Sequence, residues 1–182
     1  MPDRMACIAL AIAAMAVSGA VSAAERYDFG RPATPAEIAG WDIDVSPSGA
    51  GLPPGHGDVR QGEAIFAAKC ASCHGAHGEG KPMDRLVGGI GTLHDKKPEK
   101  TVGSFWPYPT TLFDFVRRAM PLNAPQSLTP DEVYAVSAYV LFLNGIIAQE
   151  TTLDADTLAK IKMPNRDGFI SAYPTPGASA KP

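Results

Sequence analysis

Two thiols and an imidazole stand within five residues of one another in Cys70-Ala71-Ser72-Cys73-His74. The order C-x-x-C-H is the pattern of covalent c-type haem attachment. Two thiols at this spacing reach the two vinyl groups on one edge of a porphyrin, and the next residue brings an imidazole beneath the iron. The same spacing serves redox dithiols and zinc sites. A redox dithiol belongs at the start of a helix in a strand-rich chain, and nothing here alternates convincingly as strand. A zinc site needs further Cys or His ligands at matching spacing, and no second C-x-x-C is present. The reading is one covalent haem c held by Cys70 and Cys73, with His74 on the iron.

An iron held on one side needs a ligand on the other. The candidates are Met83, Met120 and Met163, with His56, His77 and His94. Met83 and His77 follow His74 too closely to cross easily to the far face. Met120 lies between two helical segments and is followed by Pro121, where a loop can cover the far face. It is the expected sixth ligand, with Met163, the histidines or an open position as the alternatives. His/Met ligation raises the reduction potential and suits electron transfer. No residue is assigned a catalytic role, because no substrate bond is made or broken at such an iron.

These groups need elements to position them. Asp58-Val59-Arg60-Gln61 pairs an N-cap with Gln three residues on, and Ala64, Ile65, Ala68 and Lys69 continue a helical face into Cys70. A second helix is expected from Thr111 to Met120. A third starts at Thr129-Pro130-Asp131-Glu132, a capping box with Pro at the first helical position and acid in the first turn. Val133, Val136, Tyr139, Val140 and Leu143 recur at helical spacing until Asn144-Gly145 ends the pattern.

Around this domain, expected over 58–147, lie three other segments. Residues 1–23 read as an export signal, with Arg4, an apolar run from Met5 to Val17 and small residues at Ala20-Val21-Ser22-Ala23. The run is shorter than the roughly 20 residues of a membrane span, so no anchor is expected after cleavage, and the mature chain is expected in the periplasm. Cys7 leaves with this signal. Residues 24–57 form a Pro/Gly-rich arm with Trp41 and Ile43 in need of burial, on its own domain or on a partner. Within it Thr34-Pro35-Ala36-Glu37 can start one short turn. Residues 148–182 form a tail with one short helical candidate at Asp154–Ile161 and an end that looks disordered. The whole chain has 182 residues, with 18 Gly and 17 Pro, a load that implies long irregular segments. Its 16 Lys+Arg against 19 Asp+Glu leave no basic stripe for nucleic acid.

Gly62 and Phe66 before the haem motif, the Met120-Pro121 step and a terminal helix with Tyr139 together resemble class I cytochromes c. The resemblance implies an all-α fold of three to five helices around one haem, the first and last crossing near Gly62 and Tyr139. Many relatives place a Pro shortly before a Leu-x-Gly step, where it supplies a carbonyl to the proximal His. Here the step is Asp84-Arg85-Leu86-Val87-Gly88, so a backbone carbonyl of Asp84 or Arg85 must serve. Arg85 and Trp106 are candidates for bonding haem propionates, or else a solvated Arg and a core Trp.

A closer resemblance runs from about Gly30 to Phe169. Gly30-Arg31-Pro32-Ala33-Thr34-Pro35, Trp41-Asp42-Ile43-Asp44-Val45, Thr101-Val102-Gly103-Ser104-Phe105-Trp106-Pro107-Tyr108, Arg118-Ala119-Met120-Pro121 and Met163-Pro164-Asn165-Arg166-Asp167-Gly168-Phe169 are similar to the cytochrome subunit of the Sox sulfur dehydrogenase and sulfite dehydrogenase family. That implies a molybdenum-cofactor dehydrogenase subunit as electron donor, and a cytochrome or oxidase as downstream acceptor. On this view the chain is the electron-transfer subunit of an oxidoreductase rather than its catalytic one. The longer Sox cytochrome subunits carry a second haem domain, and only one haem domain is expected here. The competing expectation is a free soluble periplasmic shuttle, for which Lys96, Lys97 and Lys100 offer a docking patch or simply a solvated loop.

Overall fold

The computed structural model describes residues 30–173. The expected export signal and the last residues of the tail lie outside that range. Of the described residues, 30–41 form a unit separate from the rest. In it, helix α1 (Pro35–Trp41) buries none of its residues. Its start follows the expected cap: Thr34 N–H donates to Glu37 Oε2 at 2.8 Å, and Glu37 N–H donates to Thr34 Oγ1 at 3.3 Å. The Arg31 guanidinium, and after it Thr34, hold the Glu37 carboxyl down at about 2.

The larger unit begins at Asp42. Strand β1 (His56–Asp58) leads into helix α2 (Val59–Lys69), where Asp58 and Gln61 cap each other reciprocally as the sequence implies. Single-turn helix α3 (Ala71–His74) follows at once. A 3-10 turn (Thr92–His94) and the short α4 (Val102–Phe105) lead to α5 (Pro109–Ala119). Helix α5 begins two residues before the expected Thr111, because Pro109 fits a first helical turn. It ends at Ala119, since Met120 has extended φ −120° and ψ 146°. Helix α6 (Pro130–Leu143) carries the expected Thr129/Glu132 capping box.

Helix α6 is the centre of the fold. Val133 to Leu141 are all buried, so the helix is enclosed on every side rather than on the one face its spacing implied. Helix α2 crosses it at Gly62, where any Cβ would run into the carbonyl of Ala135 and the side chain of Tyr139. Glycine is required there by the close approach of two backbones. Next to the crossing the Phe66 and Tyr139 rings lie 5.4 Å apart. The crossing expected from the class I resemblance is therefore present, at the residues named for it.

Two features escape the sequence. Strand β1 pairs antiparallel with β2 (Thr152–Asp154), in the register His56↔Asp154, Gly57↔Leu153 and Asp58↔Thr152. Three-residue strands are too short to show alternation. Asp154 then caps α7 (Ala155–Leu158), a single turn where a longer helix to Ile161 was expected.

From Asp42 on, the arm packs against its own domain. Val45 is buried and its N–H donates to Asp114 Oδ1 at 2.9 Å. Arg117 donates to the Ile43 carbonyl at 3.1 Å, and the Tyr134 hydroxyl donates to the Pro53 carbonyl at 2.8 Å. The tail does likewise. Met163 is buried, Asn165 Nδ2 donates to Phe105 O at 2.7 Å, and the Arg166 guanidinium sits 4.2 Å above the Tyr108 ring.

Candidate haem-binding site

The Cys70 φ of −123° breaks the chain between α2 and α3. Cys73 N–H and His74 N–H both turn back to the Cys70 carbonyl, at 3.1 and 3.0 Å. This single turn puts residues three and four apart on one face, so both thiols and the imidazole line one cavity of about 780 Å³. The walls are apolar: Phe66 from α2, Val102 from α4, Leu112 and Val116 from α5, Val136 and Val140 from α6. Such size and lining suit a cofactor.

His74 Nδ1 lies 2.8 Å from the carbonyl oxygen of Asp84. A carbonyl only accepts, so Nδ1 carries the proton and Nε2 keeps its lone pair as the ligating atom. Of the two carbonyls the sequence left open, Asp84 is the one used. Burial pushes the Cys70 thiol up to about 11, Lys69 pulling back against it and Cys73 adding a smaller push. A redox dithiol has a depressed thiol pKa, and this environment does the opposite.

Met120 lines the same cavity, so Cys70, Cys73, His74 and Met120 all lie on its wall. Met163 does not: it is 1 % exposed inside the core and forms no part of the wall. His56, His77 and His94 are also absent from the wall. Met83 does line it, but its N–H is tied to the Cys73 carbonyl at 2.9 Å, which keeps its backbone beside the attachment motif.

Arg85 and Trp106 reach the cavity as well. Arg85 pairs with both carboxylate oxygens of Glu99, at 3.0 and 2.9 Å, and donates to the Glu79 carbonyl at 3.2 Å. Trp106 stands edge-on to Phe115, with ring centres 5.8 Å apart. Sequence reasoning gave neither Glu99 nor Asn144 a place at the site. The only signal at Asn144 was its place before Gly145, which reads as a helix stop.

The donor set is two thiols, an imidazole in the ligating tautomer and a thioether sulfur, around an apolar cavity. That set fits haem c. No helix among the described residues is long and apolar enough to cross a membrane.

Residues 57–140 match the family described as cytochrome C oxidase, cbb3-type, subunit III. The thiosulfate dehydrogenase of Allochromatium vinosum is 33% identical over 100 residues, 53% of this chain and 36% of that protein. The chain thus spans about a third of that relative's length. A chain in the crystal structure of the sulfane dehydrogenase SoxCD from Paracoccus pantotrophus is 44% identical, with a TM-score of 0.76, over 80% of this chain and 72% of that one. With the class I cytochrome c architecture and the assembled donor set, this identity places the chain in a family: it belongs to the Sox-type c-type cytochromes, electron-transfer proteins of sulfur oxidation.

Proposed function

We propose that this chain is the monohaem electron-accepting subunit of a molybdenum-containing sulfite or sulfur dehydrogenase. It takes electrons from that subunit and passes them to a downstream cytochrome or oxidase of the respiratory chain. One haem c would be held covalently by Cys70 and Cys73, with His74 and Met120 as the residues that would ligate its iron. When bound, the haem iron carries one electron at a time between ferric and ferrous states. Residues 1–23 direct export, and the protein works in the periplasm.

The observation that carries this reading is the reach of the similarity. It covers 80% of the chain, more than the expected haem domain alone, so it takes in flanking sequence as well. A free shuttle needs no such flanks.

The chain's own residues have plain roles. The α2–α3 turn presents both thiols to the cavity. The Asp84 carbonyl fixes the tautomer of His74. The apolar walls exclude water, which favours a low-dielectric environment around the iron and a raised potential. Met120 supplies a sulfur ligand of the high-potential kind.

The test is to purify the tagged protein gently from its own host and measure molybdenum in the haem-containing fraction. Molybdenum in proportion to haem supports the subunit reading and supplies the partner to assay with sulfite. Haem without molybdenum at every step of a cross-linked purification turns the assignment to the free shuttle. Removing residues 30–41 alone is the matching variant. Removing the arm through Pro54 would also strip Ile43, Val45 and Pro53 from the domain they pack on.

A further inference from the structure

Asn144 looks in the sequence like the end of a helix. Its side chain does more than stop α6. It is buried, and its amide makes three hydrogen bonds. Oδ1 accepts from Gly88 N–H at 3.0 Å. Nδ2 donates to the Leu86 carbonyl at 3.2 Å and to the Val140 carbonyl at 2.9 Å. Both amide hydrogens and the oxygen are used. The bond to Val140 anchors the amide to α6. The other two grip a three-residue stretch of a distant loop from both ends.

That stretch begins two residues after Asp84, whose carbonyl holds His74 Nδ1. The loop is also strapped to the chain after His74, since Leu86 N–H donates to the Gly78 carbonyl at 2.8 Å and Gly80 N–H donates to the His74 carbonyl at 2.7 Å. Helix α6 is the most enclosed element of the fold. Through Gly62 it fixes α2, and so the thiols. Through Asn144 it fixes Leu86–Gly88, and so the carbonyl that orients the imidazole.

On the reading that His74 ligates a haem, we propose that Asn144 is a positioning residue for the His74 ligand. It holds the Asp84 carbonyl on Nδ1–H by clamping Leu86 and Gly88 to the end of α6. A firm Nδ1–H···O=C bond makes the imidazole a stronger donor to the metal, and outer partners of this kind tune ligands by tenfold or more. Loss of the clamp lets the carbonyl drift, weakens the donor and favours the ferrous state.

The test is Asn144→Ala in the full holoprotein, with Asn144→Ser as the milder variant should the first not accumulate. The reduction potential rises, and the equilibrium constant for one-electron reduction grows on the order of tenfold, about 59 mV. Solvent exchange of the His74 Nδ1–H, followed by proton NMR of the ferrous protein, becomes faster. Leu158→Ala, a core truncation in α7, is the control: it lowers stability and leaves potential and exchange unmoved. A normal haem spectrum with unmoved potential and exchange in the Asn144 variants, alongside a stability loss, overturns the positioning role and leaves Asn144 a helix terminus. Wild-type protein without a pyridine haemochrome signature overturns the haem reading itself, and this assignment with it.

Discussion

On the His74 side of the cavity, the chain from Gly75 to Gly88 is tied down by residues far away in sequence. Asn144 grips Leu86 and Gly88, Thr101 donates to the Gly88 carbonyl at 2.6 Å, and Glu99 holds Arg85. On the Met120 side, residues 120–128 make only local backbone bonds among the described residues. Met120 N–H donates to Val116 O at 3.1 Å, Ala124 N–H to Pro121 O at 2.9 Å and Ser127 N–H to Ala124 O at 3.3 Å. Leu122 is 64% exposed there. Each intramolecular hydrogen bond contributes about 1 kcal/mol net, so the proximal side is fixed by several such terms and the distal side by few. The difference teaches where each candidate ligand gets its definition. The imidazole is oriented by the tertiary fold, whereas the sulfur is placed by one turn after α5 and by apolar contact. Changes to the fold should therefore disturb His74 first, and changes at Met120 should leave the fold in place.

The sharpest way to break that comparison is at the crossing that supports the proximal side. Gly62→Val puts a branched side chain against the Ala135 backbone and Tyr139. Neither helix can yield without moving Cys70 or the core of α6. The expected loss is about 3 kcal/mol or more, read by denaturant unfolding of the holoprotein. A loss below about 1 kcal/mol would mean that α2 and α6 slide freely, and that the crossing does not define the site.

Met120→Ala tests the distal side. Met120 is only partly buried, so truncation should cost less than the 2–5 kcal/mol of a fully buried methionine. The optical effect should be large: the low-spin His/Met spectrum disappears, the potential falls, and the ferrous protein binds carbon monoxide at neutral pH. Helix content by far-UV circular dichroism stays at the wild-type level. An unchanged spectrum would move the sixth ligand elsewhere, with Met83 the sulfur left in the cavity wall. Collapse of the fold would instead erase the contrast between the two sides.

The same contrast explains what could be read from the sequence. Local chemistry was legible. The Asp58/Gln61 and Thr129/Glu132 caps start α2 and α6, and the five-residue motif makes the α2–α3 turn. The Gly62–Tyr139 crossing followed from resemblance. Long-range partners were not legible. Nothing in Asp84-Arg85 says which carbonyl meets His74, because that depends on how Asn144 grips the loop. The pairing of His56–Asp58 with Thr152–Asp154 leaves no periodic trace, and the arm's contact with Asp114 and Arg117 has no local signature. Met163, an open candidate for the iron, is a core residue because the tail folds back, a decision taken far from the haem motif.

The smallest expected effect asks whether surface charge contributes to the proximal rigidity. Lys69, next to Cys70, pairs with Glu132 of α6 at 2.7 Å, with both side chains about a third exposed. Lys69, and after it the Thr129 N–H, hold the Glu132 carboxyl below its usual range. A carboxyl pKa lowered in the folded state adds stability that is complete above the ordinary carboxylate pKa and is lost as pH falls through the folded value. Glu132→Gln should therefore cost no more than about 1 kcal/mol at pH 7, the range of an exposed pair plus a partial cap. The gap to wild type should close in acid, as the pH falls below the ordinary carboxylate range and through the lowered folded value of Glu132. The reduction potential should stay where it is, because the carbonyl at His74 is held by buried contacts at the other end of α6. A potential that moved with this substitution would make the rigidity of the His74 side partly electrostatic, and would carry its definition out to the surface.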